Sequence, residues 1–542
     1  MTEDENPPSR SEPDATRADP VGRLDDVAPD GAGAPEENPA DIRTQRLAKL
    51  DRLRSAGVDV YPYRFDRDRT LAELRAEFGG LEAGAETEVE VRVAGRIMLK
   101  RGQGRLTFIT LSDRDGDVQL FVSQGVLGKE AFVELNDLDR GDWIGVVGTV
   151  MVTKKGELSV KVSGYELLSK SLRPLPDKWK GLSDTDQRYR QRYVDLIVNA
   201  DARANFLIRT LAVQAIRDRM RARGYLEVET PVLSLTQGGA TARPFVTHYN
   251  ALDLDTYLRI ALELPLKRLI VGGMEAVFEI GRIFRNEGID TRHNPEFTMI
   301  ESYEAFVDYT EMMTLVEDLV SSAAMAAIGT THITVRGTEI DLAPPYRRVT
   351  MIDLIREYAG VEVHPSMSVA DLHGVLTGLG IGFDPAWGPG RLVAEIYDER
   401  VEVELVAPTF VMDYPREISP LAKAHRDDPT LVERFELVVG GRELANAYSE
   451  LNDPVDQLAR FQHEAGRKAA GDVEAGDVDL DYVRALEYGM PPAGGMGMGI
   501  DRLTMLLAEV DSIREVILFP TLRPEAGLHE DEFAVPAPTD RS

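Results

Sequence analysis

Cysteine is absent from all 542 residues. That excludes disulfides and thiolate metal sites, and it suits a reducing cytoplasm. No apolar run approaches the roughly 18 residues needed to span a bilayer, so no membrane partner is expected. The N-terminus is acidic and proline-rich, so no signal peptide is expected. Cationic residues are outnumbered, with 62 Lys and Arg against 92 Asp and Glu and a net charge of −30. A chain this acidic does not coat nucleic acid non-specifically. Local basic surfaces can still engage it, because charge is screened over about 10 Å. Residues 1–40 hold three Arg, no Lys and no aromatic residue. Such a segment cannot bury enough apolar surface to offset its ordering entropy, so 1–41 is predicted to be a disordered acidic tail.

The remaining composition, 43% hydrophobic and 28% charged, is ordinary for a globular protein. The length predicts roughly three domains. Within IRTQRLAKLDRLRSAG (42–57), Ile42, Leu47, Leu50 and Leu53 have helical spacing, and a second short helix is predicted near Leu71 to Phe78. From about 88 to 168 the pattern has period two. The candidate strands are VEVRVAGRIML, RLTFITLSD, DVQLFVS, DWIGVVGTVMVT and ELSVKVSGYELL, separated by GQG, DRDGD and KKGE. They predict a small antiparallel barrel, and an OB-fold and a generic barrel both fit this pattern. Residues 171–193 hold Lys178, Lys180, Arg188, Arg190 and Arg192. This is either a hinge with a basic face for phosphate backbone or a solvated helix start.

Beyond 194, ARANFLIRTLAVQAIRDRMRAR spaces Phe206, Leu207, Leu211, Ile216 and Met220 as one helix, and YLEVETPVL follows as a strand. Further strands are expected near 257–262, 276–287, 296–306, 401–406, 433–439, 442–450 and 494–500, with helices over 316–328 and 351–379. The result is a mixed α+β domain of more than 300 residues.

Three of its segments carry chemistry. In VFEIGRIFRNE and EFTMIESYEAF, joined by GIDTRHNP, side-chain alternation puts Arg285, Glu287, Phe297, Glu301 and Tyr303 on one surface. Phe278, Ile280, Phe284, Ile300 and Phe306 point the other way, into a core. Arg292 and His293 sit at the loop. An Arg fork, carboxylates and an aromatic face suit a nucleotide plus a zwitterion, whereas a solvated hairpin with cross-strand ion pairs fits parity equally well. PPAGGMGMGIDRLTMLL (491–507) has glycines that allow close backbone approach, with Asp501 and Arg502 opening a helix. It matches neither GxGxxG nor GxxxxGK[ST]. In FELVVGGRELANAYSELND (435–453), Asn446, Tyr448 and Glu450 share a face, and Glu436 and Glu443 could share a hard divalent ion. Glu443 has the opposite parity from Asn446, so it needs a bulge to join them.

GYLEVETPVL, FRNEGIDTRHNPEFTMIESY and GMGMGIDRLTML resemble motifs 1, 2 and 3 of class II aminoacyl-tRNA synthetases, most closely the bacterial lysyl-tRNA synthetases. The likeness runs from about 43 to 524 and includes TQGGATARPFVTHYNALDLDTYLRI, RYRQRYVDL, NAYSELND and IREVILFP. It implies N-terminal helices over 42–86, an OB-fold anticodon-binding domain over 87–170, a basic hinge over 171–193, a class II catalytic domain over 194–525 built on an antiparallel sheet flanked by helices, and a tail over 526–542. It further implies a cytoplasmic homodimer that joins L-lysine to tRNA-Lys, using ATP and Mg²⁺.

By the same resemblance, Arg285 holds the α-phosphate and the amino-acid carboxylate, and Arg502 holds the γ-phosphate. Glu287 and His293 contact ATP, and Phe297 stacks on adenine. Gly239 and Glu263 match contacts to the α-ammonium, Asn446 a carboxylate neighbour, and Tyr303 and Glu450 contacts to the ε-ammonium, with Glu301 beside them. Glu436 and Glu443 match Mg²⁺ ligands. Arg101, Phe108 and Gln119 match the residues that hold the anticodon, although a barrel-core position for Phe108 stays open. Leu262 stands where the family usually carries Pro, and Tyr448 where Phe is common. Methionines occupy apolar positions of motif 3. Related lysine-activating enzymes that modify a protein lack the N-terminal barrel. A non-catalytic descendant would have lost Arg285, Glu287 or Arg502, and all three are present.

Overall fold

The computed structural model describes residues 39–176, 182–240, 242–469 and 476–525. Most of the expected acidic tail, the C-terminal tail, Lys178 and Lys180 lie outside these residues. The chain divides into two compact units, Met1–Lys180 and Gly181–Ser542.

In the first unit, α1 (Pro39–Ser55) and α2 (Leu71–Phe78) precede the strands β1 (Glu86–Gln103), β2 (Leu106–Ser112) and β3 (Asp117–Ser123). The helices α3 (Gln124–Leu127) and α4 (Lys129–Asp137) follow, then β4 (Trp143–Val152) and β5 (Leu158–Ser169). The strands close into a barrel in the order β1-β2-β3-β5-β4. Period-two alternation sends Val91, Val93, Ile109, Leu120, Val146 and Val160 into its core. Each such side chain contributes about 1.5–3 kcal/mol on burial. Helix α2 starts with a capping box: Glu73 N–H donates to Thr70 Oγ1 (3.2 Å), and Thr70 N–H donates to the Glu73 carboxylate (2.7 Å). The sequence analysis did not anticipate α3 and α4. Both are short, and α4 is held by Phe132 and Leu135 on the barrel.

The second unit begins with α5 (Thr185–Arg190), α6 (Arg192–Val198) and α7 (Ala200–Ala222), followed by short strands β6 (Leu226–Glu227), β7 (Leu233–Ser234), β8 (Val246–Tyr249) and β9 (Leu254–Leu258). Then come α8 (Glu263–Val271), β10 (Ala276–Phe284), β11 (Glu296–Ala305) and α9 (Tyr309–Ile328). A hairpin of β12 (His332–Val335) and β13 (Thr338–Asp341) leads to β14 (Arg347–Thr350), α10 (Met351–Ala359), α11 (Val369–Leu379) and α12 (Pro389–Arg400). The last stretch holds β15 (Thr409–Pro415), β16 (Leu431–Val438), β17 (Glu443–Ser449), α13 (Pro454–Ala469), α14 (Leu480–Glu487), β18 (Ala493–Gly499) and α15 (Ile500–Leu507). Eight strands form the central sheet, ordered β14-β15-β16-β17-β18-β11-β10-β6. Phe278, Ile300, Phe435, Met496 and Met498 pack from one face of this sheet with Ile216 and Met220 of α7 and Met312 and Val316 of α9. Val277, Ile283 and Tyr303 have the other parity and pack with α8 and α14.

Several expectations are corrected. Residues 401–406 form a 3₁₀ turn at Glu402–Glu404, and β15 fills the neighbouring strand position. YLEVETPVL yields only β6 and β7, because Pro231 cannot donate to a ladder. Phe306 is 69% exposed, since a left-handed φ of 68° turns the chain out of the sheet just after β11. The arginines of the basic hinge are internal braces. Arg188 donates to Asp195 (2.9 Å) and Glu515 (3.2 Å), Arg190 to Asp186 (2.6 Å), and buried Arg192 to the Arg514 carbonyl (2.6 Å). They do not form a free phosphate-binding face.

Candidate active site

One cavity of about 460 Å³ lies on the sheet face opposite α7 and α9. Its floor is made by glycine. Strand β18 runs between β11 and β17, so Gly495 is flanked by Tyr303 and Tyr448, and Gly497 by Glu301 and Asn446. A Cβ on Gly495 would stand 2.1 Å from Glu450 Oε1 and 2.4 Å from the Tyr303 ring. Met496 and Met498, on the alternate parity, fill the core behind the floor. The motif 3 glycines thus have a steric cause that the sequence did not show.

Arg285 lies just beyond the β10 ladder, where its N–H donates to the Pro295 carbonyl (2.9 Å) and closes the hairpin loop. Its guanidinium sits 5.2 Å from the Phe297 ring centre. The polar contacts of that group are two long hydrogen bonds of 3.4 Å to the Ile260 carbonyl. Desolvation lowers its pKa, against the pull of Glu287, Glu443 and Glu301. Two other cavity arginines are already paired, and Arg292 is exposed at the rim. Arg502 donates to the Glu443 carboxylate (2.9 Å) and carbonyl (2.7 Å). Arg434 donates to Glu436 (2.5 Å) and to the Asn446 side-chain oxygen (3.0 Å).

The expected bulge is present. The β16–β17 register slips between Leu437 and Val438, which brings Glu443 onto the cavity with Glu436 and Asn446. Burial pushes the Glu436 carboxyl up to about 7, with Arg434 opposing and Glu443 adding to the rise. Among the described residues, no cluster of three or more His, Asp or Glu side chains forms a metal-ligating group, so this pair stands alone. At the loop, His293 Nδ1 is 2.9 Å from Asp290, whose carboxyl is held at about 2, chiefly by that histidine. Glu287 and His293 are exposed at the cavity rim.

The opposite end is acidic. Glu301 accepts from Leu262 N–H (2.9 Å) and the Tyr303 hydroxyl (3.0 Å), and burial followed by Glu263 pushes its carboxyl up to about 7. Glu263 accepts from the Tyr448 hydroxyl (2.6 Å) and from Lys267 (2.5 Å). Gly239 lines this end with φ of 89°. Glu450 is 1% exposed behind the wall, with Oε2 in a close ion pair with Lys267 and Oε1 without a hydrogen-bond partner. The cavity therefore has a cationic end with a guanidinium that has no ion-pair partner, and an acidic end with Glu263 and Glu301 in the wall and Glu450 behind them.

Residues 184–523 match the model of class II tRNA synthetases (D, K and N), and residues 91–168 match an OB-fold nucleic acid binding domain. The chain belongs to the class II tRNA synthetases. Its curated relatives include a lysine–tRNA ligase of Nostoc punctiforme, 52% identical over 90% of this chain and 89% of the relative. Another, from Synechococcus sp. (strain CC9311), is 52% identical over 90% of this chain and all of the relative. A third, from Thermosynechococcus vestitus, is 51% identical over 90% and 98%.

Both departures from the synthetase pattern act at the acidic end. Leu262 has φ of −101° and an N–H that donates to Glu301. Proline has no N–H and fixes φ near −65°. The Tyr448 hydroxyl, which Phe lacks, donates to Glu263. Three further residues stand beside those expected from the sequence. Arg434 shares a strand face with Glu436, and Lys267 lies one helical turn after Glu263. In the OB-fold, Phe121 lies two residues after Gln119. On that barrel Arg101 pairs with Phe108, Phe108 with Phe121, and Thr110 with Gln119. Phe108 is half-buried on the outer face, edge-on to Phe121 at 5.7 Å, so it is not a core residue. Gln119 donates to the Ser159 hydroxyl (2.9 Å).

The floor makes a direct prediction. Gly495→Ala should lower kcat/KM for the amino acid by about tenfold while leaving the ATP KM within about twofold, because overpacking at this contact costs on the order of 1–3 kcal/mol. Initial-rate exchange kinetics check this, and an equal effect on both substrates would contradict it.

Proposed function

We propose that this synthetase is a lysine–tRNA ligase. It activates L-lysine with ATP to lysyl-adenylate and pyrophosphate, then passes the lysyl group to the 3′-terminal ribose of tRNA-Lys. The observation that carries this reading is the placing of a half-buried guanidinium without an ion-pair partner at one end of a cavity, and at its other end of buried Glu263 and Glu301 in the wall with buried Glu450 behind them. Lysine carries one carboxylate and two ammonium groups, and a buried ammonium needs charged acceptors.

In this reading Arg285 holds the lysine carboxylate and the α-phosphate together, with Asn446 beside the carboxylate. Glu263 and Gly239 take the α-ammonium. Glu450 and Tyr303 take the ε-ammonium, with Glu301 and Tyr448 completing the wall. Phe297 stacks on adenine, Glu287 and His293 contact the nucleotide, and Arg502 holds the γ-phosphate. The lysine carboxylate is itself the nucleophile, so the protein supplies position and charge stabilisation rather than a nucleophilic side chain. Glu436 and Glu443 offer the hard oxygen pair that suits Mg²⁺, an ion commonly bound by one or two carboxylates together with substrate phosphates. That ion would neutralise phosphate charge.

The outer barrel face of Arg101, Phe108 and Gln119 supports anticodon reading by stacking and edge contacts. Leu207 (59% exposed), Leu211, Leu233 and Val246 are apolar and uncovered in the single chain, which supports a homodimer. Among the described residues no helix is long and apolar enough to cross a membrane, and the substrates belong to the cytoplasm. Aspartate or asparagine is disfavoured, because three buried carboxylates would meet an acidic or neutral side chain.

The test is ATP–pyrophosphate exchange with lysine, aspartate and asparagine in parallel. Exchange should depend on lysine alone. Folded protein without lysine-dependent exchange would sink the reading.

A further inference from the structure

Glu263 opens helix α8, and Lys267 follows one turn later on the same helix face. Lys267 is fully buried, and it stands behind the cavity wall rather than in it. Its ammonium donates to Glu263 Oε1 at 2.5 Å and forms a close ion pair with Glu450 Oε2. The rings of Tyr303 and Tyr448 face it at 5.8 and 5.4 Å. It therefore joins two carboxylates that reach it from different elements, one from a helix start and one from just beyond β17.

We propose that Lys267 is a positioning residue: a built-in counter-cation that orients Glu263 and Glu450 and leaves one face of each free for the two ammonium groups of the substrate. The inference rests on the lysine reading above. Glu263, Glu301 and Glu450 bring three negative charges to a closed end, while lysine brings two ammonium groups and its carboxylate goes to Arg285. Lys267 supplies the missing third positive charge. Without it the pocket would take up protons more readily still, and lysine would have to displace them.

The surroundings leave this role to Lys267. From α8 the other charged groups are Glu263 and Arg268, and Arg268 is engaged with Asp479 (2.8 Å) at the start of α14. From α14, Tyr482 presents a buried hydroxyl without a hydrogen-bond partner. From β11 come Glu301 and Tyr303, and from the end of β17 come Tyr448 and Glu450. Burial pushes the Glu450 carboxyl well above the usual range. Lys267 opposes that rise, and Glu263 and Glu301 add to it.

The test is Lys267→Met in the full chain, read by ATP–pyrophosphate exchange across pH. The lysine KM should rise about tenfold or more, the loss expected when a buried charge pair is broken. The ATP KM should stay within about twofold, and the acid limb of kcat/KM for lysine should move about one pH unit or more upward. A folded variant with a smaller rise, an unmoved acid limb or equal losses for both substrates would overturn the proposal. Should the single variant fail to fold, Lys267→Met/Glu450→Gln removes the cation together with one of its two carboxylates, and its lysine KM should lie within about threefold of that of Glu450→Gln. A larger difference, or a double variant that also fails to fold, makes Lys267 a scaffold residue and overturns the proposal. Wild-type protein without lysine-dependent exchange would instead defeat the functional reading itself.

Discussion

Lysine-dependent ATP–pyrophosphate exchange should fall by roughly 10²–10³-fold in Arg285→Ala, the loss typical of removing one preorganised charge-stabilising donor. The loss should appear mainly in kcat. Among the cavity arginines below the exposed rim, where Arg292 stands, Arg285 is the one whose planar fork is uncommitted, for it makes only long contacts to the Ile260 carbonyl while Arg434 and Arg502 are tied to Glu436 and Glu443. A cation held in a desolvated wall without an ion-pair partner is costly unless a ligand anion completes it. In the proposed reaction that anion is both the lysine carboxylate and the α-phosphate, and their approach raises local negative charge as the new P–O bond forms. Arg285→Lys should also lose most of the activity, because an ammonium cannot bridge two anions in one plane. The substitution removes no short hydrogen bond of the fold, so the unfolding transition should shift little. Exchange kinetics beside thermal melts decide the matter, and a well-folded Arg285→Ala that keeps kcat within tenfold of wild type would refute the assignment.

The paired arginines carry a complementary implication. Arg502 and Glu443, and Arg434 and Glu436, form ion pairs along the cavity. Binding ATP with Mg²⁺ in the proposed arrangement would exchange these partners, carboxylate to metal and Arg502 to phosphate.

The hairpin that carries Arg285, Phe297, Glu301 and Tyr303 was legible because strand parity is a local property, and GIDTRHNP marks its loop plainly. The register agrees: Ile283 faces Phe297, and Glu279 faces Glu301. The bulge in β17 was also legible, since Glu443 and Asn446 could share a surface only if one residue looped out. The glycine floor was not, because its meaning depends on β11 and β17 flanking β18, and that pairing is non-local. Lys267 was hidden for a different reason. A Glu and a Lys four residues apart on a helix are common surface partners, and only burial and the arrival of Glu450 separate this pair from an ordinary one. Strand β15 is buried along nearly its whole length, so it lacks the alternation that marks a half-exposed strand. VEVELV over 401–406 alternates well, yet it forms a turn where α12 ends, and Leu405 and Val406 accept from the Gly441 and Gly440 N–H groups.

Glu450→Gln should raise the lysine KM by about 100-fold or more while changing the ATP KM by less than about threefold, because leaving a buried charge unpaired costs roughly 2–5 kcal/mol. Glutamine keeps the shape of the side chain, so the change isolates charge from volume. In the wild type, Glu450 Oε2 is paired to Lys267, whereas Oε1 faces Gly495 and has no hydrogen-bond partner. That free oxygen is the acceptor proposed for the ε-ammonium. The amide offers one neutral acceptor and an NH₂ group that points a donor at either Lys267 or the substrate. Burial pushes the Glu450 carboxyl well above the usual range and the Glu301 carboxyl up to about 7. Below that value it is protonated, the acidic end is one charge less negative, and the wild-type lysine KM should rise. Above it the KM should level off. In Glu450→Gln the KM should stay high on the plateau as well, since raising the pH cannot restore a charge the side chain no longer carries. Equal loss of lysine and ATP, or recovery at high pH, would place the ε-ammonium elsewhere in the cavity.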